Sequence, residues 1–307
     1  MQSSIYTDLA MEARELHPEL QGVVEQSEES EGIRISRIEV KTEEASQKLE
    51  KPRGRYVTLD APELTNRPLD LFEQVAAQLG EEIALLLGSL ASDATVLIVG
   101  LGNRAITSDS LGPKTVEQVY VTRHVTQYLP EAFPHPVRSV CAIAPGVLGV
   151  TGIETMEVVR GVVERVRPDV ILAVDALASR RAARISTTLQ LTDTGINPGS
   201  GVGNTRKSLN QATFGVPVVA IGVPMVVYAS TISQDTISLI ADETGLHHDE
   251  ETLKRLAEKV ITENLGNMIV TPKDVDQIIA DMSRIIADAI NFALFDADYD
   301  EVRMLIS

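Results

Sequence analysis

The chain has 307 residues, 44% of them hydrophobic but only 4% aromatic with no Trp, so its core is expected to rest on Val, Ile, Leu and Ala. A formal net charge of −17 argues against direct nucleic-acid binding, which draws on clustered Lys and Arg. One cysteine, Cys141 in the apolar run V-C-A-I-A, excludes an intrachain disulfide and any C-x-x-C metal or redox motif, and a buried strand thiol of this kind is expected to be inert.

The N-terminus has no basic-then-apolar secretory pattern, and no apolar run approaches the roughly 18 residues of a membrane span. The expectation is an intracellular protein without membrane contact. Residues 1 to about 30 are polar and acidic. Their first part can form one helix capped by Thr7 or Asp8. The Glu/Ser run after it is expected to be an exposed, mobile linker. Ile33 to Val40 alternates apolar and polar residues, the mark of a half-buried strand, and Arg55 to Leu59 reads as another. A charged connection lies between them. Leu69 to Leu87 is an amphipathic helix.

From Thr95 the pattern alternates regularly. Strands are expected at 95–99, 139–144, 170–174, 187–191 and 218–221, with helices from Pro113 to about Tyr128 and from about Gly152 to Val166. Apolar strands separated by helices point to an α/β fold, a mostly parallel sheet with helices on both faces. Further helices are expected at 227–244 and 249–264. The last is expected to be capped by Thr271 with Pro272 at its first position, burying Val275, Ile278, Ile279, Met282, Ile285 and Ile286.

The strand-loop-helix stretch from Thr95 to Pro113 is the natural place for a ligand in such a fold. Gly100-x-Gly102-x-x-Ala105 matches a dinucleotide loop, but the helix is expected to start only at Pro113, and the next strand ends without an acidic residue for a ribose. The late start leaves Asp109 in a loop, where it either forms a turn or points into a cleft. Asp175 directly follows V-I-L-A-V, as a helix cap, a cleft carboxylate, or both. Two carboxylates at the carboxyl ends of neighbouring strands can share a proton, one activating water for amide hydrolysis while the other stays neutral. Asp193-Thr194-Gly195 matches the aspartic-protease tripeptide but occurs once, in an α/β chain, and reads as a turn. The glycine loops 145–152 and 195–204 either flex or let an extended peptide approach. None of the five histidines has a zinc spacing, and no G-x-S-x-G elbow exists.

Four segments taken together, G-L-G-N-R-A-I-T-S-D-S-L-G-P-K, A-P-G-V-L-G-V-T-G-I-E-T, A-V-D-A-L-A-S-R and D-T-G-I-N-P-G-S-G-V-G-N-T-R-K, resemble the germination protease family of spore-forming Firmicutes. The resemblance runs from Thr7-Asp8-Leu9-Ala10 to the region of Val275. It implies a fold similar to the hydrogenase maturation proteases and an endopeptidase that degrades small acid-soluble spore proteins. It also implies a catalytic pair at Asp109 and Asp175, no cofactor or metal, a homotetramer, and a place in the cytoplasm of the forespore and spore. Family members are zymogens that trim their own N-terminus, which places the cut here between Asp8 and Leu9. Residues 1–8 are then a propeptide and 9–307 a single peptidase domain, with 9–90 packed on an α/β core of 91–307. A chain carrying residues 1–8 is expected to be the uncut precursor. The glycine loops become the substrate-binding elements, with Gly146, Gly149, Gly199, Gly201, Gly203 and Asn204 as the contact residues. Where the family pattern has an acidic residue this chain has Tyr228, and its segment 244–264 is shorter than the family's insertion. Two other functions use parts of the same stretch: a metal-dependent or maturation-type hydrolase on the same carboxylates, and a dinucleotide-binding module on Gly100, Gly102 and Ala105.

Overall fold

A computed structural model describes residues 7–133, 135–197, 208–244, 268–295 and 298–306. Its centre is a run of apolar strands: β4 (Thr95–Gly100), β5 (Ser139–Ile143), β6 (Val170–Ser179) and β8 (Val218–Tyr228), joined in parallel in the order 8-6-4-5. Alternate residues of each strand feed two cores, as the period of two requires. Val96, Ile98, Leu172, Val174, Val219 and Ile221 meet α3 (Leu69–Leu87) and α10 (Val275–Phe295) on one face. Leu97, Val99, Ile171, Ala173, Val218 and Ala220 meet Met156 and Val159 of α7 (Thr155–Val166) on the other. The expected α/β sheet covered on both faces is what forms.

The sheet also has an antiparallel wing. β1 (Val23–Ser30), β2 (Ile33–Val40) and β3 (Gly54–Asp60) form a meander that joins β8 through β7 (Thr188–Thr192). The short strand β9 (Ile269–Val270) pairs with the end of β8. The Glu/Ser run expected as a linker is therefore strand β1. Its two-residue turn explains why: Glu31 and Gly32 both have positive φ, 53° and 78°, the backbone of a tight hairpin. All but the first residue of β1 are exposed, so composition there reports an edge strand charged against further pairing. On the α7 side of this wing, α1 (Ala10–Leu16) and α2 (Glu43–Leu49) bury Ala10, Ala13, Ala45 and Leu49 against Ile38, Val40 and Tyr56.

Several expected boundaries move. The first helix has Leu9 at its N-cap position and no side-chain cap; the Thr7 hydroxyl accepts the Leu9 N–H at 3.1 Å and donates to Glu12, and the Asp8 carboxylate accepts the Ala178 N–H. The expected helix 113–128 is two pieces, α4 (Leu111–Val116) and α5 (Arg123–Tyr128), and Pro113 is the third residue of the first. Proline is tolerated there because the first turn's N–H groups have no intrahelical partner. A one-turn helix, α6 (Leu148–Thr151), precedes α7, and another, α8 (Gln211–Phe214), precedes β8. Strand β6 runs five residues past its expected end and β8 seven. Following β8, α9 spans Ala229–Thr244. At the last long helix Thr271 is no cap. Its hydroxyl donates to the Met225 carbonyl at 2.9 Å, and α10 begins at Val275. The terminal helix α11 (Tyr299–Ile306) follows it. The helix expected at 249–264 lies outside the described residues. Among the described residues no helix is long and apolar enough to cross a membrane.

Candidate active site

Asp109 is placed by glycines. The loop after β4 folds back so closely that a Cβ on Gly100 would lie 2.2 Å from the Gly112 carbonyl oxygen, and one on Gly112 2.3 Å from that of Leu101. Gly102, at φ +114°, passes so near Asp109 that a Cβ would lie 2.0 Å from its carbonyl oxygen. These glycines close a backbone crossing. Asp109 ends a single 3₁₀ turn (Thr107–Asp109) ahead of the helix, and its Oδ2 accepts the Asn103 N–H at 2.8 Å. Burial lifts its carboxyl above the usual carboxylate range, opposed by that one hydrogen bond.

Asp175 is buried in mid-strand, since β6 continues to Ser179. It therefore caps no helix. β4 ends opposite Val174, so Asp175 is the first residue of β6 beyond its neighbour's end. Its carboxyl is held well above the ordinary range, first by burial, then by the charge of Asp109. The N–H of Ala176, 2.9 Å from Oδ1, opposes this, and the charge of Asp8 adds to it. Asp175 thus feels the charge of Asp109, while the shift at Asp109 comes from burial.

The third carboxylate comes from the N-terminal segment. Thr7, Asp8, Asp109 and Asp175 line one cleft of about 1140 Å³, together with Gly149, Gln190, Gly222 and Tyr228. Residues 7–12 are bonded to the core, Asp8 in the manner of an added strand end and Ala10–Glu12 as the first turn of α1. Asp8 N–H donates to the Ala178 carbonyl at 3.0 Å, and the Ala178 N–H donates back to Asp8 Oδ2 at 2.8 Å. A register shift between Leu177 and Ala178, a β-bulge against β8, turns this end of β6 toward the segment. Lys51 donates to the Thr7 carbonyl at 2.9 Å. Burial pulls its ammonium below the usual lysine range, against the charges of Asp8, Glu50 and Glu12. Glu12 is almost fully buried and accepts the N–H groups of Arg180 and Arg181 at 2.7 and 3.0 Å, with the Arg184 guanidinium 3.3 Å away. Leu9, just past the expected cut, is wholly buried.

Gly149 lines the cleft, while Gly146 stands beside it with its carbonyl accepting the Thr155 hydroxyl at 2.9 Å. Gly199, Gly201, Gly203 and Asn204 lie outside the described residues. Asp193 accepts the N–H and the guanidinium Nε of Arg55 at 2.8 and 2.7 Å, a structural pairing that fits the turn reading. Cys141, expected to be buried, is half-buried; burial still raises its thiol, opposed by Arg123. Tyr228, at the family's acidic position, lines the cleft, and burial together with the charge of Asp8 lifts its hydroxyl above the ordinary tyrosine value. Among the described residues no three His, Cys, Asp or Glu side chains come together as a metal-ligand set. Lys51, Gln190 and Arg184 carry no sequence signal, since each meets its partner across 44 to 182 residues of chain.

Fold and site together define an α/β protein whose cleft, lined by the buried Asp175 and the half-buried Asp109, holds the chain's own Thr7–Asp8 stretch. The family model described as germination protease matches residues 3–260 and 244–304. A germination protease from Caldanaerobacter subterraneus subsp. tengcongensis is 46% identical over 94% of this chain and 94% of its own. Those of Clostridium acetobutylicum and Bacillus subtilis are 41% and 39% identical, each over 95% of this chain and 95% and 94% of theirs. The chain belongs to the germination protease family, a family of peptidases. Among solved structures, a [NiFe] hydrogenase maturation protease from Thermococcus kodakarensis matches with a TM-score of 0.33 and 14% identity, over 68% of this chain and 98% of its own.

Proposed function

We propose that this chain is an endopeptidase that opens the degradation of small acid-soluble spore proteins at germination. It is made as a precursor that cuts itself between Asp8 and Leu9, and Asp109 and Asp175 activate the water. The observation that carries the reading is the chain's own Thr7–Asp8 stretch, bonded into the cleft where the charges of Asp109 and Asp8 both act on the Asp175 carboxyl. In this mechanism Asp175, more deeply buried, keeps the shared proton. Asp109, partly stabilised as an anion by Asn103 N–H, takes a proton from water as its oxygen attacks the peptide carbonyl carbon. The carboxylic acid then protonates the leaving nitrogen, and the carbon–nitrogen bond breaks. Residues 1–8 act as a propeptide and residues 9–307 as the peptidase. Gly146, Gly149 and the loop around residue 200 receive the substrate backbone. The spore interior as location and a homotetramer as assembly come with the family resemblance alone.

Mass spectrometry of the incubated chain tests the reading. The expected product begins at Leu9 and forms equally with and without a chelator. Asp109→Asn and Asp175→Asn each reduce cleavage, of the chain itself and of a spore-protein substrate, by at least about a thousandfold, on the scale of losing a member of a catalytic unit. Near-normal cleavage by either variant would sink the pair, and loss with chelator followed by return with one divalent ion would move the reading to a metal-dependent hydrolase.

A further inference from the structure

Two buried neutral side chains touch the peptide group between Asp8 and Leu9: the Thr7 hydroxyl accepts its N–H at 3.1 Å, and the Gln190 amide meets its carbonyl. Gln190 lies in β7 with only 6% of its surface exposed. Its Nε2 donates to the Asp8 carbonyl oxygen at 3.1 Å, and its Oε1 accepts the Ala10 N–H at 2.6 Å. An amide's two ends are told apart by their partners. The Ala10 N–H can only donate, so Oε1 must face it, and that leaves Nε2–H on the Asp8 carbonyl. One side chain thus spans the bond, touching the carbonyl on one side and the second amide beyond it on the other.

The sheet explains how a residue 15 positions after Asp175 reaches the same bond. Gly222 of β8 is the register partner of both Asp175 on β6 and Gln190 on β7. Directly paired residues project from the same face. Asp175 and Gln190 therefore flank one row with a glycine between them, their strands roughly 9–10 Å apart at about 4.8 Å per step. Leu189 and Leu191 point into the opposite core, which fixes Gln190 on the cleft side. A Cβ on Gly222 would stand 2.5 Å from the Leu177 side chain, so the row stays low between its two flanking polar groups.

We infer that Gln190 is a further catalytic residue, the donor that stabilises the oxyanion of the tetrahedral intermediate, and that its Oε1 sets the register of the bond by holding the N–H two residues beyond the carbonyl. This rests on the proposed cut between Asp8 and Leu9 by the aspartate pair. Attack by water forms a carbon–oxygen bond, and the carbonyl π pair moves onto the oxygen that Nε2–H already touches. The proton lost by water goes to Asp109. Collapse returns the pair to carbon, and the nitrogen leaves with a proton from the acid. A donor already aimed at that oxygen gains strength as negative charge develops, which is where catalysis is won. A substrate in the same cleft presents its own carbonyl and N–H to the same amide.

The test compares Gln190→Met and Gln190→Glu with the wild-type chain, on a peptide copying residues 3–16. Both variants are expected to lower kcat by about 10²–10³, the usual loss for one oxyanion donor, with KM changed less than about tenfold. The introduced carboxyl donates only when protonated. Gln190→Glu should therefore regain activity as pH falls, relative to Gln190→Met at each pH, a signature that a packing role would not move. Melting curves accompany both, and the nearly isosteric Gln190→Glu decides the matter if the Met variant fails to fold. A change confined to KM, or kcat within about threefold of wild type in a folded variant, overturns the oxyanion role. If Asp109→Asn or Asp175→Asn stays active while Gln190 substitutions lower kcat, the aspartate reading fails and the role of Gln190 stands.

Discussion

A carboxyl in the middle of a buried strand costs stability wherever it must ionise. Asp175 keeps its proton to higher pH in the folded chain than in the unfolded one, because burial and the charge of Asp109 both oppose ionisation. Its contribution is fully favourable below the unfolded value of about 3.9 and is lost as pH rises through the raised folded value. Asp175→Asn should melt several degrees higher than wild type at pH 7, at about 2 °C per kcal/mol for a chain of this size. That advantage should vanish below about pH 4, where both side chains are neutral. Equal melting temperatures at pH 7 in a calorimeter would mean that Asp175 carries no such burden. Cleavage should follow the same titration. The proposed mechanism needs one proton on the pair, so kcat should fall on the alkaline side as Asp175 ionises and on the acid side as Asp109 gains a proton. The sequence singled out Asp175 because it directly follows the apolar run V-I-L-A-V, and Asp109 because an expected helix start at Pro113 leaves it in the loop ahead; their assignment as a catalytic pair came from the family resemblance. Gln190 was not singled out. Its neighbours Leu189 and Leu191 make it look like the polar phase of an ordinary strand, and only the row through Gly222 brings it to the bond.

At the scale of elements, the cleft is built from two devices: a loop that crosses itself and a short helix held by one side chain. The first makes Gly102 nearly irreplaceable. Its φ of +114° and the 2.0 Å approach of any Cβ to the Asp109 carbonyl oxygen mean that Gly102→Ala must move the backbone carrying Asp109. Such strain costs about 1–3 kcal/mol. Activity should fall by more than that stability loss alone explains, read as kcat measured well below the melting temperature. Gly32 tests the contrast, because a Cβ there meets nothing within 4 Å although φ is +78°, so Gly32→Ala should cost stability and leave kcat alone. The second device is Glu12, gripped by two backbone N–H groups and the Arg184 guanidinium. Glu12→Gln keeps the shape but removes the charge. The amides of α1 should then exchange with solvent faster and self-cleavage should slow, since the bond is no longer held under Gln190. Unchanged exchange in an inactive Asp109→Asn background would show that Glu12 does not hold the helix. The sequence showed α3 and β2 with their observed bounds because a strong apolar period fixes them. It misplaced the caps of α1 and α10, where Asp8 and Thr271 bond to the distant backbone of Ala178 and Met225, and it missed the charged edge strand β1 and the start of α4.

The whole molecule joins a parallel half, which carries Asp109 and Asp175, to an antiparallel wing that contributes Gln190 and, just before β3, Lys51. Neither half holds the Asp8–Leu9 bond alone. The carboxyls stand on one side of the Gly222 row and the amide on the other, and the N-terminal segment lies across them. That segment belongs to the same chain, tethered to the wing through α1 and β1. A bond already seated in its own cleft reacts without a second molecule, and such tethering is worth effective concentrations far above any in solution. Self-cleavage should therefore be first order. Its half-time should not change when the protein is diluted over about two orders of magnitude, since an intramolecular step has no concentration term. An inactive Asp109→Asn chain mixed with active wild type should stay whole on that time scale, because its own segment covers the bond against a second enzyme. A half-time that lengthens in proportion to dilution, or rapid trimming of the inactive chain by its active partner, would place the cut between molecules. The seated segment would then be a plug to be removed from outside.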